Sequence, residues 1–176
     1  PCIILHMKNN LTSDEENIYF SEDFDKQSAL LCLEKNFLNI LPAISVNQQV
    51  KALSKILDTK SSIKKFAYVN DKILFFHAGK IKDNAYIVNI FCWNFYNKRH
   101  NFYKHFNIVK KNLTIDIKLK YPNLQQLIIP VLKNRFKEES YKKLLKKTFK
   151  NIKQEQFILP EYEDFDIFSV NLQDGK

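Results

Sequence analysis

Residues 66–95, FAYVNDKILFFHAGKIKDNAYIVNIFCWNF, contain the strongest strand pattern in this chain. Aromatic and β-branched residues dominate Phe66–Val69 and Ile73–His77, and the Asn70-Asp71-Lys72 segment between them is typical of a hairpin turn. The run Ala85–Phe95 is long and apolar, which suits a strand that is buried on both faces. We therefore predict three consecutive strands at the centre of the chain.

Helical and extended patterns alternate around these strands. Apolar residues three and four positions apart predict a first helix that ends at Pro42, with Asp25 or Ser28 as its N-cap. The remaining predictions are a polar turn at Gly79–Asn84, helices at Asn47–Leu57 and Lys137–Ile152, and strands at Leu124–Leu132, Phe157–Leu159 and Asp166–Leu172.

The segment Asn97–Tyr121 fits two patterns. Its apolar residues fall at helical spacing over the whole length, whereas those after Asn112 also alternate as in a strand. The helix accounts for the longer stretch and is the prediction we adopt. Three strands followed by a helix, a strand, a helix and terminal strands are the layout of an N-acetyltransferase-like fold, an α/β (α+β) mixed sheet flanked by helices. At 176 residues, a single domain is expected.

The composition excludes several kinds of protein. With 14% aromatic residues the chain has too much apolar surface to stay disordered. It has only two glycines, Gly79 and Gly175, so a glycine-rich phosphate-binding loop cannot be built from it. The sequence therefore contains no motif that fixes a function by itself.

The net charge of +9 is unevenly distributed along the chain. Residues 50–153 contain 24 basic and six acidic residues, whereas both ends are acidic. This basic centre favours an anionic partner, which could be nucleic acid, an acidic lipid surface or an acidic protein. The alternative is that the lysines form ordinary solvated faces, and it stays open for the lysine-rich helix Lys142–Lys153.

The three cysteines, Cys2, Cys32 and Cys92, show no metal-ligand spacing, so we predict no structural metal. Apolar residues surround Cys32 and Cys92, which favours buried thiols in a reducing compartment. The opening run Cys2–Leu5 is too short for a signal peptide, and no stretch is long enough to span a membrane. These features predict a cytoplasmic protein.

Several short segments resemble a known family. The stretch Leu38–Ile44 (LNILPAI) followed by Asn47-Gln48 is similar to a motif near the N-terminus of the toxin-activating lysine acyltransferases, the hemolysin-activating enzymes that acylate pore-forming toxins. Lys120-Tyr121-Pro122-Asn123 and Ile129-Pro130-Val131 resemble a helix end and the following strand in that family. The hairpin and the basic helix from Lys137 fall where the family has similar elements.

The resemblance implies an acetyltransferase-like fold without a glycine-rich coenzyme A loop. It also implies an acyl thioester as donor, carried by acyl carrier protein, with no tightly bound cofactor, and a protein lysine as acceptor. Two observations agree with this prediction: the chain lacks a glycine cradle, and its basic centre could dock an acidic carrier protein.

The chain departs from this family at the positions that matter most for catalysis. Ser28 stands where the family has a catalytic histidine, and Asn89 corresponds to its aspartate on a buried strand. A serine cannot act as a base unaided, and an asparagine cannot orient a cation as a carboxylate does. Either another residue performs the catalytic role, or the chain keeps the fold and has lost the catalytic activity.

Three residues are therefore the candidate catalytic positions. His77 ends a predicted central strand beside Gly79, where the mouth of the strand could expose it as a base. Asn89 is a polar residue in an apolar strand, and a buried amide without hydrogen-bond partners costs roughly 1–3 kcal/mol. Ser28 is either a helix cap or an orienting group. We expect the donor pocket where the two central strands around His77 and Asn89 part.

Two further functions from other classes stay open. Asp116-Ile117-Lys118 resembles the end of a strand in metal-dependent nucleases, where a carboxylate binds Mg²⁺ and a lysine steadies water; Asp83 would be the second carboxylate. That alternative makes the chain a nucleic-acid-binding protein or nuclease. The other alternative is an interaction module without catalytic activity, whose aromatic surface binds a partner.

Overall fold

The structure, a computed structural model, describes residues 18–38, 41–94, 102–157 and 160–173, and its strands form one mixed sheet. The order of the seven strands is β1-β2-β3-β4-β5-β7-β6. The strands are β1 (Ile18–Ser21), β2 (Ile63–Val69), β3 (Lys72–Lys82), β4 (Ala85–Trp93), β5 (Gln126–Leu132), β6 (Ile152–Gln154) and β7 (Phe165–Asn171). The helices are α1 (Lys26–Phe37), α2 (Ala43–Asp58), α3 (Phe102–Lys111), α4 (Ile117–Lys120) and α5 (Glu138–Thr148).

Two tight turns connect the three central strands. Asn70 and Asp71 have φ angles of 49° and 59°, and Asp83 and Asn84 have φ angles of 49° and 61°. Two successive residues in the left-handed region form a type I′ turn, whose twist matches that of antiparallel strands. The predicted hairpin is confirmed. The turn predicted at Gly79–Asn84 is too long, because β3 continues to Lys82 and stays paired with β4.

Helices cover both faces of the sheet. On one face, α1 and α2 pack over β2, β3 and β4, with Leu33, Leu53 and Phe76 in the core between them. On the other face, Val109 of α3 and Leu145 of α5 belong to the largest buried cluster. The strand β4 is buried on both faces, as its apolar sequence predicts.

The first two helices follow the sequence closely. Asp25 caps α1 by accepting a hydrogen bond from the backbone N–H of Gln27, so Asp25 rather than Ser28 is the N-cap. The helix α1 ends at Phe37, before Pro42, and α2 begins directly after this proline. Thus α2 starts four residues earlier than the predicted Asn47.

The ambiguous segment before β5 is helical. A π-helix at Asn112–Asp116 joins α3 to α4. Leu113 and Ile117 are 4% and 2% exposed, whereas Ile115 and Leu119 are 54% and 75% exposed. Burial at every fourth residue is the periodicity of a helix, so the strand alternative is wrong and the helical prediction is confirmed from Phe102 to Lys120. Residues 97–101 of that prediction lie outside the described residues.

The short strands at the two edges of the sheet differ from the predictions. The helix α5 ends at Thr148 rather than Ile152, and Ile152 instead starts β6. Phe157 lies outside any strand and is 47% exposed, so the strand predicted at Phe157–Leu159 is wrong at its first residue. Residues 158 and 159 lie outside the described residues. The strand β1 was not predicted at all. An edge strand of three or four residues is too short to show an alternating pattern.

Candidate functional site

The neighbouring strands β4 and β5 part in the middle of the sheet. They pair in parallel at three positions, from Ala85 opposite Gln126 to Ile87 opposite Ile128. Beyond these pairs β4 runs on to Trp93 and β5 to Leu132 without further pairing between the two strands. The facing backbone edges beyond Ile87 therefore have N–H and C=O groups that a bound chain can reach.

A β-bulge lies where β4 leaves β5. Gly79 pairs with Val88 and Ala78 with Ile90, so Asn89 is an extra residue on β4. A Cβ atom at position 79 would lie 1.9 Å from the carbonyl oxygen of Ile87. Only glycine fits this close approach, and it allows the bulge to form beside the opening.

The side chain of Asn89 points to one face of the sheet and contacts Tyr162. Its Nδ2 donates a hydrogen bond to the Tyr162 hydroxyl, and its buried Oδ1 has no partner among the described residues. Burial raises the pKa of Tyr162 to about 12, with the nearby Glu161 adding to the shift. Tyr162 is therefore protonated at neutral pH, and its hydroxyl hydrogen is free to donate. Together the pair presents one hydrogen-bond acceptor and one donor.

An apolar pocket lies on the opposite face of the same opening. It lies between the parting strands and the helices α3 and α5. The residues that line it are Val88, Phe91, Val109, Lys110, Leu113, Ile129, Tyr141, Leu145 and Phe149. The ammonium of Lys110 is the charged group of this lining. The lining suits an alkyl chain in character, but the cavity volume is only about 20 Å³, room for about one water molecule, so a chain enters only if α3 and α5 move away from the sheet.

His77 is not exposed at a strand mouth, which corrects the expectation from the sequence. It lies within β3, is 0% exposed, and both ring nitrogens have partners at 2.8 Å, the Tyr86 hydroxyl and Asn112 Oδ1. Asn112 Nδ2 lies 3.2 Å from Asp116 Oδ2 and donates to it, so Asn112 Oδ1 accepts from His77 Nε2. The other nitrogen, Nδ1, then accepts from Tyr86.

The environment of His77 favours the neutral imidazole. Burial lowers its pKa to about 4, the hydrogen bond to Asn112 opposes this shift, and the charge of Lys65 adds to it. At neutral pH the ring is uncharged, and both its nitrogens are occupied. A catalytic role for His77 stays a prediction, but the imidazole is not placed as a solvent-exposed base.

The three predicted site residues do not converge. His77 faces the same side as Tyr86 and the α3–α4 segment, whereas Asn89 faces the side of Tyr162. Ser28 is exposed in the first turn of α1, and its hydroxyl donates to the carboxylate of Asp25. Its role stays a prediction. The strands that part are β4 and β5, so only Asn89 lies at the opening.

The nuclease alternative requires Asp116 and Lys118 at the end of a strand, and the structure places both in helical segments. Asp116 lies in the π-helix and Lys118 in α4, where the ammonium donates to the carbonyl of Leu172 at 2.7 Å. Asp83 lies in the turn between β3 and β4. In the described part of the chain, no three histidine, cysteine or acidic side chains are close enough to hold a metal ion. Nor does any described helix have the length and apolar character needed to cross a membrane.

Comparisons with known proteins bear on the fold. No protein-family model matches the sequence, and no curated protein matches it. Among solved structures, the PaiA N-acetyltransferase of Thermoplasma acidophilum in complex with coenzyme A superposes with a TM-score of 0.62 at 10% identity, covering 88% of this chain and 99% of that one. This chain has the N-acetyltransferase fold.

Other N-acetyltransferase structures give the same result. A GNAT-family acetyltransferase of Staphylococcus aureus Mu50 has a TM-score of 0.57 at 13% identity, with 89% of this chain and 99% of that one covered. The ribosomal-protein-S18-alanine N-acetyltransferase of Escherichia coli has a TM-score of 0.55 at 10% identity, with 90% and 94% covered. The predicted fold class is confirmed, whereas the more specific hemolysin-activating family is not.

Sequence reasoning missed two residues of the opening. Tyr162 lies in an acidic stretch, EYEDF at 161–165, that shows no periodic pattern. For Gly79, we predict only the start of a turn from the sequence. A lone glycine inside a strand pattern can mark a bulge, and that signal was available.

Proposed function

We propose that this protein is an N-acyltransferase that uses an acyl thioester as donor. The observation that carries the proposal is the parting of β4 and β5 at the Asn89 bulge, with an apolar pocket on one face and a polar pair on the other. An acyl thioester combines a long thin chain with a reactive carbonyl, and such a molecule fits an opening between two strands. The solved structure in complex with coenzyme A has the same fold.

The pocket lining matches the alkyl portion of such a donor in character, and the donor would have to widen the pocket as it binds. The pocket lining is apolar except for Lys110, and the unpaired edges of β4 and β5 can hydrogen-bond an amide-containing chain. In the transfer, the N–C bond of the new amide forms, the C–S bond breaks, and the amine proton ends on the released thiol. We assign Asn89 and Tyr162 to binding the acceptor amine, since Asn89 Oδ1 can accept one of its N–H bonds.

Substitutions at this polar pair test the assignment. We expect Asn89→Ala and Tyr162→Phe each to lower kcat/KM for acyl transfer about tenfold or more, because each removes a hydrogen bond to the acceptor. The measurement is transfer of a radiolabelled acyl group to amine and lysine-peptide acceptors. Tyr19→Phe is a matched control, since Tyr19 is an exposed tyrosine that also loses one hydrogen bond, to Asp71. Equal rates for the unchanged protein and all three variants would contradict the assignment of Asn89 and Tyr162 to binding the acceptor.

The chain length of the donor should affect its affinity. If the pocket holds the acyl chain, each buried methylene contributes about 0.8 kcal/mol, a roughly fourfold gain in affinity. Calorimetric titration with coenzyme A, acetyl-coenzyme A and octanoyl-coenzyme A measures this gain, and free coenzyme A is the control. Equal affinity for the acetyl and octanoyl donors would show that the acyl chain lies outside the pocket.

The finer proposal is a donor carried by acyl carrier protein and a protein lysine as acceptor. Four exposed lysines of α5 and the residues after it, Lys143, Lys146, Lys147 and Lys150, have no ion pair among the described residues. Such a surface is complementary to an acidic carrier. The double change Lys146→Glu and Lys147→Glu should weaken binding of acyl carrier protein at low salt and leave binding of the coenzyme A donor unchanged. If carrier binding is unchanged, this partner is wrong although the proposed chemistry can still hold.

A further inference from the structure

Two cysteines meet between α1 and β4, away from the proposed donor pocket. Cys92 is 0% exposed on β4, and its Sγ lies 4.0 Å from the backbone oxygen of Cys32 on α1. The two thiols are close enough for each to shift the pKa of the other. Cys32 is only partly buried, and both cysteines are free thiols. Cys32 is thus the cysteine nearer the surface, and Cys92 is fully buried.

An amide group is held against the more accessible sulfur. Asn36 lies one helical turn after Cys32 and is 3% exposed. Its Nδ2 is 2.8 Å from the Cys32 carbonyl, 3.6 Å from Cys32 Sγ and 3.2 Å from Asn94 Oδ1. Asn94 in turn donates to the carbonyl of Ile73 at 2.9 Å, which fixes the orientation of the network.

The pKa values of the two thiols are shifted in opposite directions. The hydrogen bond from Cys92 lowers the pKa of Cys32; burial opposes this, while Asn36 and the charge of Lys35 add to the lowering. Burial raises the pKa of Cys92, and the Cys32 sulfur adds to that rise. Cys32 is therefore the more acidic of the two thiols and the better placed to react as a thiolate, whereas Cys92 is the more strongly protonated.

We propose that Cys32 is a site of oxidation by hydroperoxides, and that Cys92 resolves the oxidised sulfur into a disulfide between α1 and β4. In the first step the Cys32 thiolate attacks the peroxide: an S–O bond forms, the O–O bond breaks, and the leaving alkoxide or hydroxide takes a proton from solvent to become alcohol or water. The sulfur is oxidised to sulfenic acid and the peroxide is reduced. In the second step Cys92 attacks that sulfur: the S–S bond forms, the S–O bond breaks, and hydroxide leaves with the thiol proton as water.

The disulfide would tie α1 to the strand that carries the bulge. Asn89 and Cys92 are three residues apart on β4, and α1 covers the face towards which Asn89 points. Oxidation would thus fix the position of α1 beside the opening. The proposal depends only on the thiols and their neighbours, and it stands whether or not the protein is an acyltransferase.

The test is controlled oxidation of the full chain with Cys2 replaced by serine. On treatment with hydrogen peroxide, intact mass should fall by two hydrogens, and peptide mapping should find Cys32 linked to Cys92. In the same background, Cys92→Ser should accumulate a sulfenic acid that dimedone traps at Cys32, whereas Cys32→Ser should leave Cys92 reduced. Two free thiols after treatment, or a disulfide between chains, would overturn the proposal.

A second measurement tests whether Cys32 is a reactive thiol or only a close neighbour of Cys92. The rate of Cys32 alkylation against pH should have its midpoint below about 8.5, the ordinary value for cysteine. Asn36→Ala should move the midpoint upward and slow peroxide oxidation at pH 7 several-fold. Asn151→Ala is the control, because it removes an amide hydrogen bond, to the Asn171 carbonyl, that lies outside this network. A midpoint at the ordinary value in the unchanged protein would contradict the assignment of Cys32.

Discussion

Replacing Gly79 with alanine is expected to lower the free energy of unfolding by about 3 kcal/mol or more. The added Cβ would lie 1.9 Å from the Ile87 carbonyl oxygen and 2.9 Å from a ring carbon of Tyr86. The first of these is backbone in the middle of the sheet and cannot rotate away. Relief therefore requires β3 and β4 to separate at the bulge, and overpacking of this kind has costs at the upper end of the usual range.

Urea denaturation followed by circular dichroism measures this loss. Lys82→Ala, at the exposed end of the same strand, is the control and should stay within about 0.5 kcal/mol of the unchanged protein. A Gly79→Ala protein with unchanged stability would mean that the strands are not in the register described for β3 and β4.

The second large effect is a loss of stability in mild acid that originates at His77. Its imidazole has a pKa of about 4 in the folded protein and an ordinary value near 6.5 in the unfolded chain. Below pH 6.5 the unfolded chain therefore binds a proton that the folded protein does not yet accept. The free energy of unfolding falls as the pH drops from about 6.5 to about 4, by roughly 3 kcal/mol in all, and this contribution then levels off.

The contribution of His77 is isolated by comparison with a variant. Carboxylates with lowered pKa values, among them Glu22 and Glu138, also lose stabilising interactions in acid. His77→Gln keeps polar groups near Tyr86 and Asn112 but cannot titrate. The difference in unfolding free energy between the two proteins should change with pH between 6.5 and 4 and be constant above 7. Parallel curves over that whole range would show that the pKa of the ring is the same in the folded protein as in the unfolded chain.

The sequence predicts the central part of the fold well for identifiable reasons. Asn70-Asp71 is a specific signal for a type I′ turn, and β4 is long and apolar enough to be recognised as a strand buried on both faces. The helices α1 and α2 have buried residues at regular intervals. Patterns of this kind extend over several turns or strand residues, so local exceptions do not hide them.

The candidate site was harder to predict because long-range pairing creates it. The bulge at Asn89 depends on the register between β3 and β4, and the opening depends on where β4 and β5 stop pairing. Gly79 is a local sign of the bulge, but the point where β4 and β5 stop pairing has no local signature in the residues concerned. His77 shows the same limit, because its partners Tyr86 and Asn112 are nine and 35 positions away in sequence. The sequence alone therefore suggested exposure for a side chain that is enclosed.

The position of the pocket and the polar pair on opposite faces of the sheet has a consequence for the order of events. Donor and acceptor would reach the gap between β4 and β5 from opposite sides, so neither would have to leave before the other arrives. Under the proposed function, the acyl group would pass directly from one molecule to the other within a single ternary complex, and the enzyme would have no need to carry it covalently in between.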